Sequence, residues 1–282
     1  MIRTIFVPVT ADPPDEALFD TALLFAEKLN AHIRTVFIRP DPNAFPVFPE
    51  ILGGELGVYA ELEHRLDQAG SNARYRFDAW CRQKGLATDV APGFAGCSAS
   101  WSEVPGEIET LVTRFGRVND LIVVRRPVAA SPSAQRCFDA AVFGSGRPTV
   151  VVPEAAASHP TDHIMIAWNG SLEATRAVAS AMPILHLAKR VSIFTALQYG
   201  IEAGDLGDLA EALRWHGIRT PEVIFPKKGE PTGPALIDAL GRQGATMAVM
   251  GAYTHSRLRQ SFLGGVTAHL LTRAEVPLLM CH

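Results

Sequence analysis

The hydrophobic positions of the chain follow two alternating patterns. Short continuous apolar runs, such as TIFVPV at 4–9 and HIMIAW at 163–168, are each followed by a polar turn. A longer segment then places apolar residues three and four positions apart. Continuous runs are typical of strands buried on both faces, and the wider spacing is typical of amphipathic helices. The alternation predicts an α/β fold with parallel sheets that helices cover on both faces.

The succession of strands and helices occurs twice. HIRTVFI at 32–38 corresponds to RVSIFTAL at 190–197, NDLIVVRRP to ATMAVMGAY, and RPTVVVPE to EVPLLMCH. A small, proline-containing segment, EAAASHPTDH, separates the two series. Self-similarity of this kind indicates a repeated structural unit. We therefore predict a first domain over residues 1–154 and a second over residues 162–282.

The elements of the second domain can be placed from its periodicity. Its predicted strands lie near 163–168, 190–196, 220–225, 246–250 and 277–281. Its predicted helices lie near 172–188, 204–216, 232–242 and 265–274. Pro183 falls inside the first of these helices and predicts a kink or an early end, because proline removes a helical hydrogen bond.

The first domain is longer mainly because of the segment Arg39–Gly57, which contains four prolines and is expected to be irregular. It is either a plain surface excursion or a lid or partner-binding arm. The second interpretation rests on Phe45, Val47 and Phe48, since exposed apolar loops often mark contacts.

Composition narrows the classes of protein. With a net charge of −3, the chain lacks the basic balance of a nucleic-acid binder. Its four cysteines form no CxxC pair, so reduced, isolated thiols are expected. No apolar stretch is long enough for a membrane helix, and the N-terminal run resembles no signal peptide. We expect a cytoplasmic protein without a membrane or nucleic-acid partner.

The candidate chemistry lies at the strand ends. Ligands of open parallel sheets bind at the carboxyl ends of the strands, where the strand order reverses. In the second domain that edge collects Asn169, Gly170 and Ser171 after the first strand, Thr195 and Ala196 after the second, and Gly251 after the fourth. These residues are predicted to face one crevice.

A glycine pair precedes the last predicted helix. Gly264 and Gly265 are followed by Val266 and Thr267, so that free amide groups and a hydroxyl would meet at a helix start. Such a start binds anions, and glycine lets a phosphate approach the backbone. Arg257, Arg259 and His255 add charge or donors nearby. The alternative is an ordinary turn into a helix, since a glycine-rich turn without a full fingerprint is a weak signal.

The order of elements, the tandem repeat and this C-terminal segment resemble the universal stress protein family. That resemblance implies two doubly wound five-stranded parallel sheets in tandem, similar to the adenine-nucleotide alpha-hydrolases, with strand order 3-2-1-4-5. ATP-binding members carry Gly-x2-Gly-x9-Gly-(Ser/Thr) after the fourth strand. Gly251 matches the first glycine, Gly264 the third, and Thr267 a following hydroxyl residue. Met250 matches the residue that lies against the base and ribose.

Three positions depart from the family pattern. Thr254 stands in place of the second glycine, Gly265 in place of Ser or Thr, and Asn169 in place of the aspartate that meets the nucleoside. Asn169 can still donate and accept hydrogen bonds, and Gly265 still offers its amide. The Thr254 side chain could obstruct a close phosphate approach.

The first domain is expected to have lost the site. Its fourth strand ends in Arg125-Arg126-Pro127 rather than in a glycine loop, and Thr10 stands in place of the aspartate. Gly144-Ser145-Gly146 is interpreted as a helix stop. Arg125 and Arg126 either bind another anion or make ordinary surface pairs.

Other chemistry finds less support in the sequence. The spacings HxxxH and HExxH are absent, so no metal site is expected. CSASWSE, which contains Trp101, lacks the GxSxG pattern of a hydrolase and is interpreted as a polar loop with one aromatic anchor. Trp168 either belongs to the core or stacks on a base.

The favoured hypothesis is a stress-response module that binds ATP or AMP, with or without magnesium, and acts through conformation or an unknown protein partner. No catalytic residue is expected. The two halves would form an intramolecular pseudo-dimer along their final strands, with homodimers also open. One alternative is a ligand-free adaptor whose nucleotide motif has degenerated. Another is an ATP-using enzyme on the same scaffold, although NGSLEA is a poor match to the SGGxDS motif of ATP pyrophosphatases.

Overall fold

The computed structural model describes residues 1–12, 16–40, 56–154, 158–196, 203–227, 229–252 and 265–282. Contacts between residues divide the chain into two compact units. Residues 2–145 form one, called the N-terminal unit, and residues 146–282 with Met1 form the other, called the C-terminal unit. No helix in the described ranges is long and apolar enough to cross a membrane.

The sheet of the C-terminal unit has the order β9-β8-β7-β10-β11-β6. Its strands are β6 (Thr149–Val152), β7 (His163–Trp168), β8 (Arg190–Thr195), β9 (Val223–Ile224), β10 (Met247–Gly251) and β11 (Leu278–Cys281). All pairs are parallel except β6 with β11, which is antiparallel. When β7 to β11 are numbered 1 to 5 along the chain, their order in the sheet is 3-2-1-4-5. The expected doubly wound α/β fold is confirmed.

The helices of this unit lie close to their predicted positions. They are α5 (Leu172–Leu185), α6 (Ala203–Trp215), α7 (Thr232–Gln243) and α8 (Gly265–Arg273). α5 ends three residues before its predicted limit, two residues after Pro183. The helix passes through Pro183 and ends two residues later; the missing N–H of the proline removes a hydrogen bond to the turn before it.

The sheet of the N-terminal unit has the order β3-β4-β2-β1-β5 and is parallel throughout. Its strands are β1 (Thr4–Val9), β2 (His32–Arg39), β3 (Ala87–Thr88), β4 (Ser98–Pro105) and β5 (Leu121–Arg125). Its helices are α1 (Glu16–Leu29), α2 (Leu56–Lys84), α3 (Ile108–Arg117) and α4 (Pro132–Asp139), and a π-helical turn follows at Ala140–Gly144. Gly146 then has a φ of 68°, so the interpretation of residues 144–146 as a helix stop is confirmed.

One segment of this unit differs from its prediction. CSASWSE, interpreted as a polar loop, forms most of β4, and Trp101 stacks on Phe37 with 6.0 Å between ring centroids. Alternating small polar residues suit a strand as well as a loop, and the packing of Trp101 against Phe37 and Phe77 favours the strand. Residues 41–55, the larger part of the predicted excursion, lie outside the described residues.

The strands beside the points where the strand order reverses are mostly buried. Four of the five residues of β5 and the first four of β7 are buried, as expected for strands covered by helices on both faces. Each fully buried large side chain of this kind contributes about 1.5–3 kcal/mol. The strand order reverses between β1 and β5 in one unit and between β7 and β10 in the other, and these two points position the candidate sites.

Candidate functional site

The predicted site lies at the carboxyl edge of β7, β8 and β10 in the C-terminal unit. Of its residues, the structure describes Asn169, Gly170, Ser171, Ala196, Met250, Gly251, Gly265, Val266 and Thr267. Thr254, His255, Arg257 and Gly264 lie outside the described residues. The effect of Thr254 on a phosphate therefore stays a prediction.

The turn between β7 and α5 bonds largely to itself. The Ser171 N–H donates to Asn169 Oδ1 at 3.2 Å, and Gly170 has the φ of 67° that such a turn requires. Ser171 Oγ caps α5 by accepting from the Ala174 N–H at 3.1 Å. Thr175 Oγ1 donates to the Ser171 carbonyl at 3.0 Å. The Asn169 oxygen thus serves its own turn, while the side chain as a whole remains exposed.

Gly251, the last residue of β10, packs against the first turn of α5. A Cβ added at this glycine would lie 2.6 Å from the Ala174 nitrogen and 2.8 Å from the Glu173 carbonyl carbon. Real Cβ atoms do not approach backbone this closely, so the position excludes any larger residue. Gly251 therefore has a packing role in addition to the ligand role that its motif position predicts.

The start of α8 is open on the side where Gly265 lies. This glycine is exposed, and no atom of the described residues lies within 4 Å of the position that its Cβ would take. Thr267, one turn into the helix, is 5% exposed, and Val266 is half-buried. The predicted helix start is confirmed, and its first amide groups belong to residues that an anion could approach.

Two polar atoms at the ends of β7 and β8 have no hydrogen-bond partner within the described residues. They are Trp168 Nε1 and Thr195 Oγ1, and both are buried. Trp168 and Thr195 are register partners in the parallel pair, so their side chains lie on the same face of the sheet. Buried donors are usually satisfied, and these are two neighbouring exceptions at the edge of the candidate site. The position of Trp168 in the sequence is compatible with a core residue or with stacking on a base, and neither predicts this feature.

Met250 and Ala196 are buried at the same edge, with exposed fractions of 4% and 7%. Met250 pairs with Ala167 of β7 and Met280 of β11. Both side chains supply apolar surface beneath the edge. Contact of Met250 with a base or ribose stays a prediction.

The corresponding edge of the N-terminal unit is filled by a carboxylate of the protein itself. The hydroxyls of Ser131 and Ser133 donate to Asp12, and Thr10 donates to Ser133 at 3.4 Å. Ser131 is also the N-cap of α4, accepting from the Ala134 N–H at 3.2 Å. The start of a helix favours a negative charge, and here Asp12 supplies it.

A cavity of about 20 Å³, enough for one water molecule, adjoins this cluster. Thr10, Asp12, Arg125 and Cys137 are among the residues that line it. Burial raises the pKa of Cys137 to about 12, so the thiol stays protonated and is not a nucleophile at neutral pH. Sequence reasoning missed Asp12, although Ser131 followed by proline at the start of a helix is a recognisable capping signal.

The histidines with shifted pKa values lie at the opposite edge of the sheets. His163 begins β7; one ring nitrogen lies 2.8 Å from Ser192 Oγ and the other 3.1 Å from the Gln243 carbonyl. Burial, reinforced by Arg190, lowers the pKa of His163. His32 begins β2 between the hydroxyls of Ser98 and Ser100, and burial lowers its pKa as well. These imidazoles tie neighbouring strands and are remote from the candidate site.

No group of three or more histidine, cysteine or acidic side chains within the described ranges is arranged to hold a metal ion. No family model matches the chain. No curated protein matches it either. Solved structures do.

A universal stress protein from Archaeoglobus fulgidus DSM 4304 superposes with a TM-score of 0.71, covering 99% of this chain and 95% of that one at 14% identity. The chain has the universal stress protein fold. Two Pseudomonas aeruginosa proteins share it with TM-scores of 0.57 and 15% identity, covering 99% of this chain and 92% of theirs. One, from strain UCBPP-PA14, is provisionally assigned to the universal stress proteins, and the other, from strain PAO1, is of unknown function. The fold that the sequence resemblance implied is confirmed.

Proposed function

We propose that the C-terminal unit binds an adenine nucleotide, ATP or AMP, at the carboxyl edge of β7, β8 and β10. Binding would regulate a stress response through conformation or a protein partner, as the resemblance to universal stress proteins implies. The observation that carries the proposal is the pair of unpartnered polar atoms, Trp168 Nε1 and Thr195 Oγ1, at this edge.

The energetics of these two atoms favour a ligand. A buried polar group without a partner costs about 1–3 kcal/mol. A base or ribose offers nitrogen and oxygen acceptors within reach of an indole N–H and a hydroxyl, so bound nucleotide would recover part of that cost. Trp168 and Thr195 share one face of the sheet, and one ligand could satisfy both.

The start of α8 supports the proposal as a binding position for the phosphate group of the nucleotide. None of the described residues fills the space beside Gly265, and the free amides of a helix start attract anions. The Thr267 hydroxyl lies in the first turn of the same helix. Arg257, which lies outside the described residues, stays a predicted contributor. Only binding is proposed, without turnover.

A pair of matched substitutions tests the proposal. Thr195→Val removes the unpartnered hydroxyl at the edge, and Thr35→Val removes an equally buried and unpartnered hydroxyl from β2 of the N-terminal unit. We expect ATP or AMP to raise the melting temperature of the wild type, because a ligand that binds only the folded chain stabilises it. Thr195→Val should weaken nucleotide affinity by about tenfold, the effect of one hydrogen bond, and Thr35→Val should leave it unchanged.

The measurement is a thermal-shift series with ATP and AMP, with and without magnesium, on both variants and the wild type. Denaturation of purified wild-type protein, followed by chromatography of the supernatant, shows whether nucleotide was already bound. Equal shifts in all three proteins would contradict the assigned site.

A ligand-free adaptor is the second candidate, and two observations favour it. The Asn169 oxygen is taken by the Ser171 amide, and Gly251 is required by packing against α5. Both features of the motif thus have reasons within the protein. Absence of released nucleotide together with no shift from ATP or AMP would support the adaptor.

A further inference from the structure

The outer margin of the C-terminal sheet carries exposed apolar side chains. β9 is the last strand on its side and pairs with β8 alone. Val223 and Phe225 are 37% and 48% exposed. Trp215, the last residue of α6, is 84% exposed. Single exposed apolar residues are common, whereas three within one connection and its strand point to a contact surface.

The backbone of β9 offers hydrogen-bonding groups at this margin. The Ile193 N–H donates to the Glu222 carbonyl at 3.0 Å, and Val223 is in register with Ile193. In a parallel pair the bonds to the neighbour come from the residues on either side of the register partner, here Glu222 and Ile224. The N–H and C=O of Val223 therefore point away from β8, towards the margin that no other described strand covers.

Positive charge surrounds these apolar residues. Between residues 214 and 227, the side chains of Arg214, Arg219 and Lys227 are exposed and form no ion pair with another described residue. The one carboxylate in that stretch, Glu222, forms an ion pair with Arg190. This stretch thus carries more basic than acidic side chains, and the Glu230 carboxylate, which accepts from the Lys227 N–H at 3.0 Å, lies at its end.

We propose that this β9 edge surface, defined by Arg214, Trp215, Arg219, Val223, Phe225 and Lys227, binds an extended acidic peptide segment of another protein. The segment would add a strand beside β9, taking its main-chain hydrogen bonds from Val223 and placing apolar side chains against Phe225 and Trp215. Addition of a strand to a free sheet edge is an established mode of peptide recognition. The proposal does not depend on nucleotide binding.

Charge decides between this occupant and a second copy of the chain. Two copies paired through β9 in antiparallel fashion would bring the cationic residues at the ends of each strand towards those of the other, and like charges across a sheet destabilise it. Pro221 also lacks the N–H that a longer self-paired strand would use, and lysine and proline commonly protect edges from self-pairing. An acidic segment meets no like charge, and it needs only the main-chain groups of Val223.

The test measures the fluorescence anisotropy of a labelled peptide in which glutamate alternates with valine and phenylalanine, titrated with the full chain. Two further peptides act as controls, one with lysine in place of glutamate and one N-methylated at every residue, so that neither of its edges can donate. We expect binding of the first peptide alone. Binding should weaken as salt is raised, because salt screens surface charges.

Two variants separate the contributions of backbone and charge. Val223→Pro removes the outward N–H without touching the ladder to β8, and should weaken binding about tenfold, the effect of one hydrogen bond. Arg219→Glu should weaken it at low salt, with the difference disappearing at high salt. Arg82→Glu, an exposed charge reversal on α2 of the N-terminal unit, is the matched control and should bind as the wild type does.

Circular dichroism shows whether each variant is folded. If Val223→Pro does not fold, the binding measurement on Arg219→Glu still tests the proposal. The proposal is overturned if the wild type does not bind the acidic peptide, or if both variants bind it as tightly as the control. Tighter binding of an oligothymidylate that displaces the peptide would assign the surface to single-stranded nucleic acid instead. Loss of a wild-type dimer in Val223→Pro, measured by sedimentation, would assign it to a second copy.

Discussion

Gly251 lies where the last residue of β10 meets the first turn of α5, and two kinds of constraint meet there. Its place in the sequence matches the first glycine of a phosphate loop. The structure adds that a Cβ would collide with the backbone at Glu173 and Ala174. A glycine required by packing would remain even in a chain that had stopped binding nucleotide, so Gly251 alone does not distinguish the binding module from the adaptor.

Replacement of this glycine should show the packing constraint directly. Gly251→Ala is expected to lower the free energy of unfolding by about 1–3 kcal/mol, the range for overpacked sites. Gly265→Ala is the control, because its Cβ would meet no atom within 4 Å and alanine favours helix. Urea unfolding of both variants provides the measurement. A Gly251→Ala protein as stable as the wild type would show that α5 can shift away from β10.

Single residues also show the limit of prediction from sequence. The spacing of Gly251 and Thr267 suggests a ligand loop, yet the contact with Ala174 joins positions far apart in the chain, and no local pattern encodes it. Asp12 escaped notice for the same reason, since its partners Ser131 and Ser133 come from the other end of the N-terminal unit. Burial without a partner, as at Thr195, is visible only in three dimensions.

Strands and helices were easier to predict from the sequence than contacts between side chains. The continuous apolar runs gave β7, β8, β10 and β11 almost to the residue, because strands buried on both faces have few other interpretations. β4 was not predicted, since its serines and glutamate carry a weak strand signal until Trp101 packs on Phe37. The 29-residue helix α2 was also missed, because its pattern is polar and follows the proline-rich segment.

The amino end of β7 makes the stability of the fold depend on pH. The folded chain lowers the pKa of His163, chiefly by burial, whereas the unfolded chain protonates it near the ordinary value of 6.5. The unfolded state therefore binds more protons just below that value, and stability falls as the pH decreases through this window. Above it both states are neutral, and the contribution is fully present.

We expect the melting temperature of the wild type to fall between pH 7 and pH 5 more steeply than that of His163→Gln, since these values bracket the ordinary histidine pKa. His186→Gln, at an exposed position, is the control and should follow the wild-type curve. Scanning calorimetry in buffers of equal ionic strength measures the difference. If the melting temperatures of all three proteins fall equally with pH, groups other than His163 cause the pH dependence of stability. His32, whose pKa is also lowered, leaves a residual dependence in the variant.

At the scale of the molecule, the two units share the order of four strands, β4-β2-β1-β5 in one and β9-β8-β7-β10 in the other, and differ in what lies at their carboxyl edges. In the N-terminal unit, Asp12 lies at the start of α4 and is held by two serine hydroxyls. In the C-terminal unit, no carboxylate of the described residues is bonded at the start of α8, and none of their atoms lies beside Gly265. A resident carboxylate repels a phosphate, so the two edges are not equivalent.

Nucleotide titration should therefore reveal a single site per chain. Isothermal calorimetry of the full chain with ATP or AMP is the measurement, and Thr195→Val should lower affinity without exposing a second site. Asp12→Asn tests the N-terminal edge, because it removes the negative charge there and keeps an oxygen that can accept from the Ser131 and Ser133 hydroxyls. Two equal sites in the wild type would contradict the assignment of the N-terminal edge as filled.

β6 closes the C-terminal sheet, although its sequence ends the first repeat. The compact unit, which begins at residue 146, and the predicted first domain, which ends at residue 154, therefore have different borders. A C-terminal fragment that began after residue 154 would lack β6. β11 would then be an unpaired edge strand, and unpaired edges promote aggregation. A fragment that keeps the C-terminal sheet complete must therefore include residues 146–154.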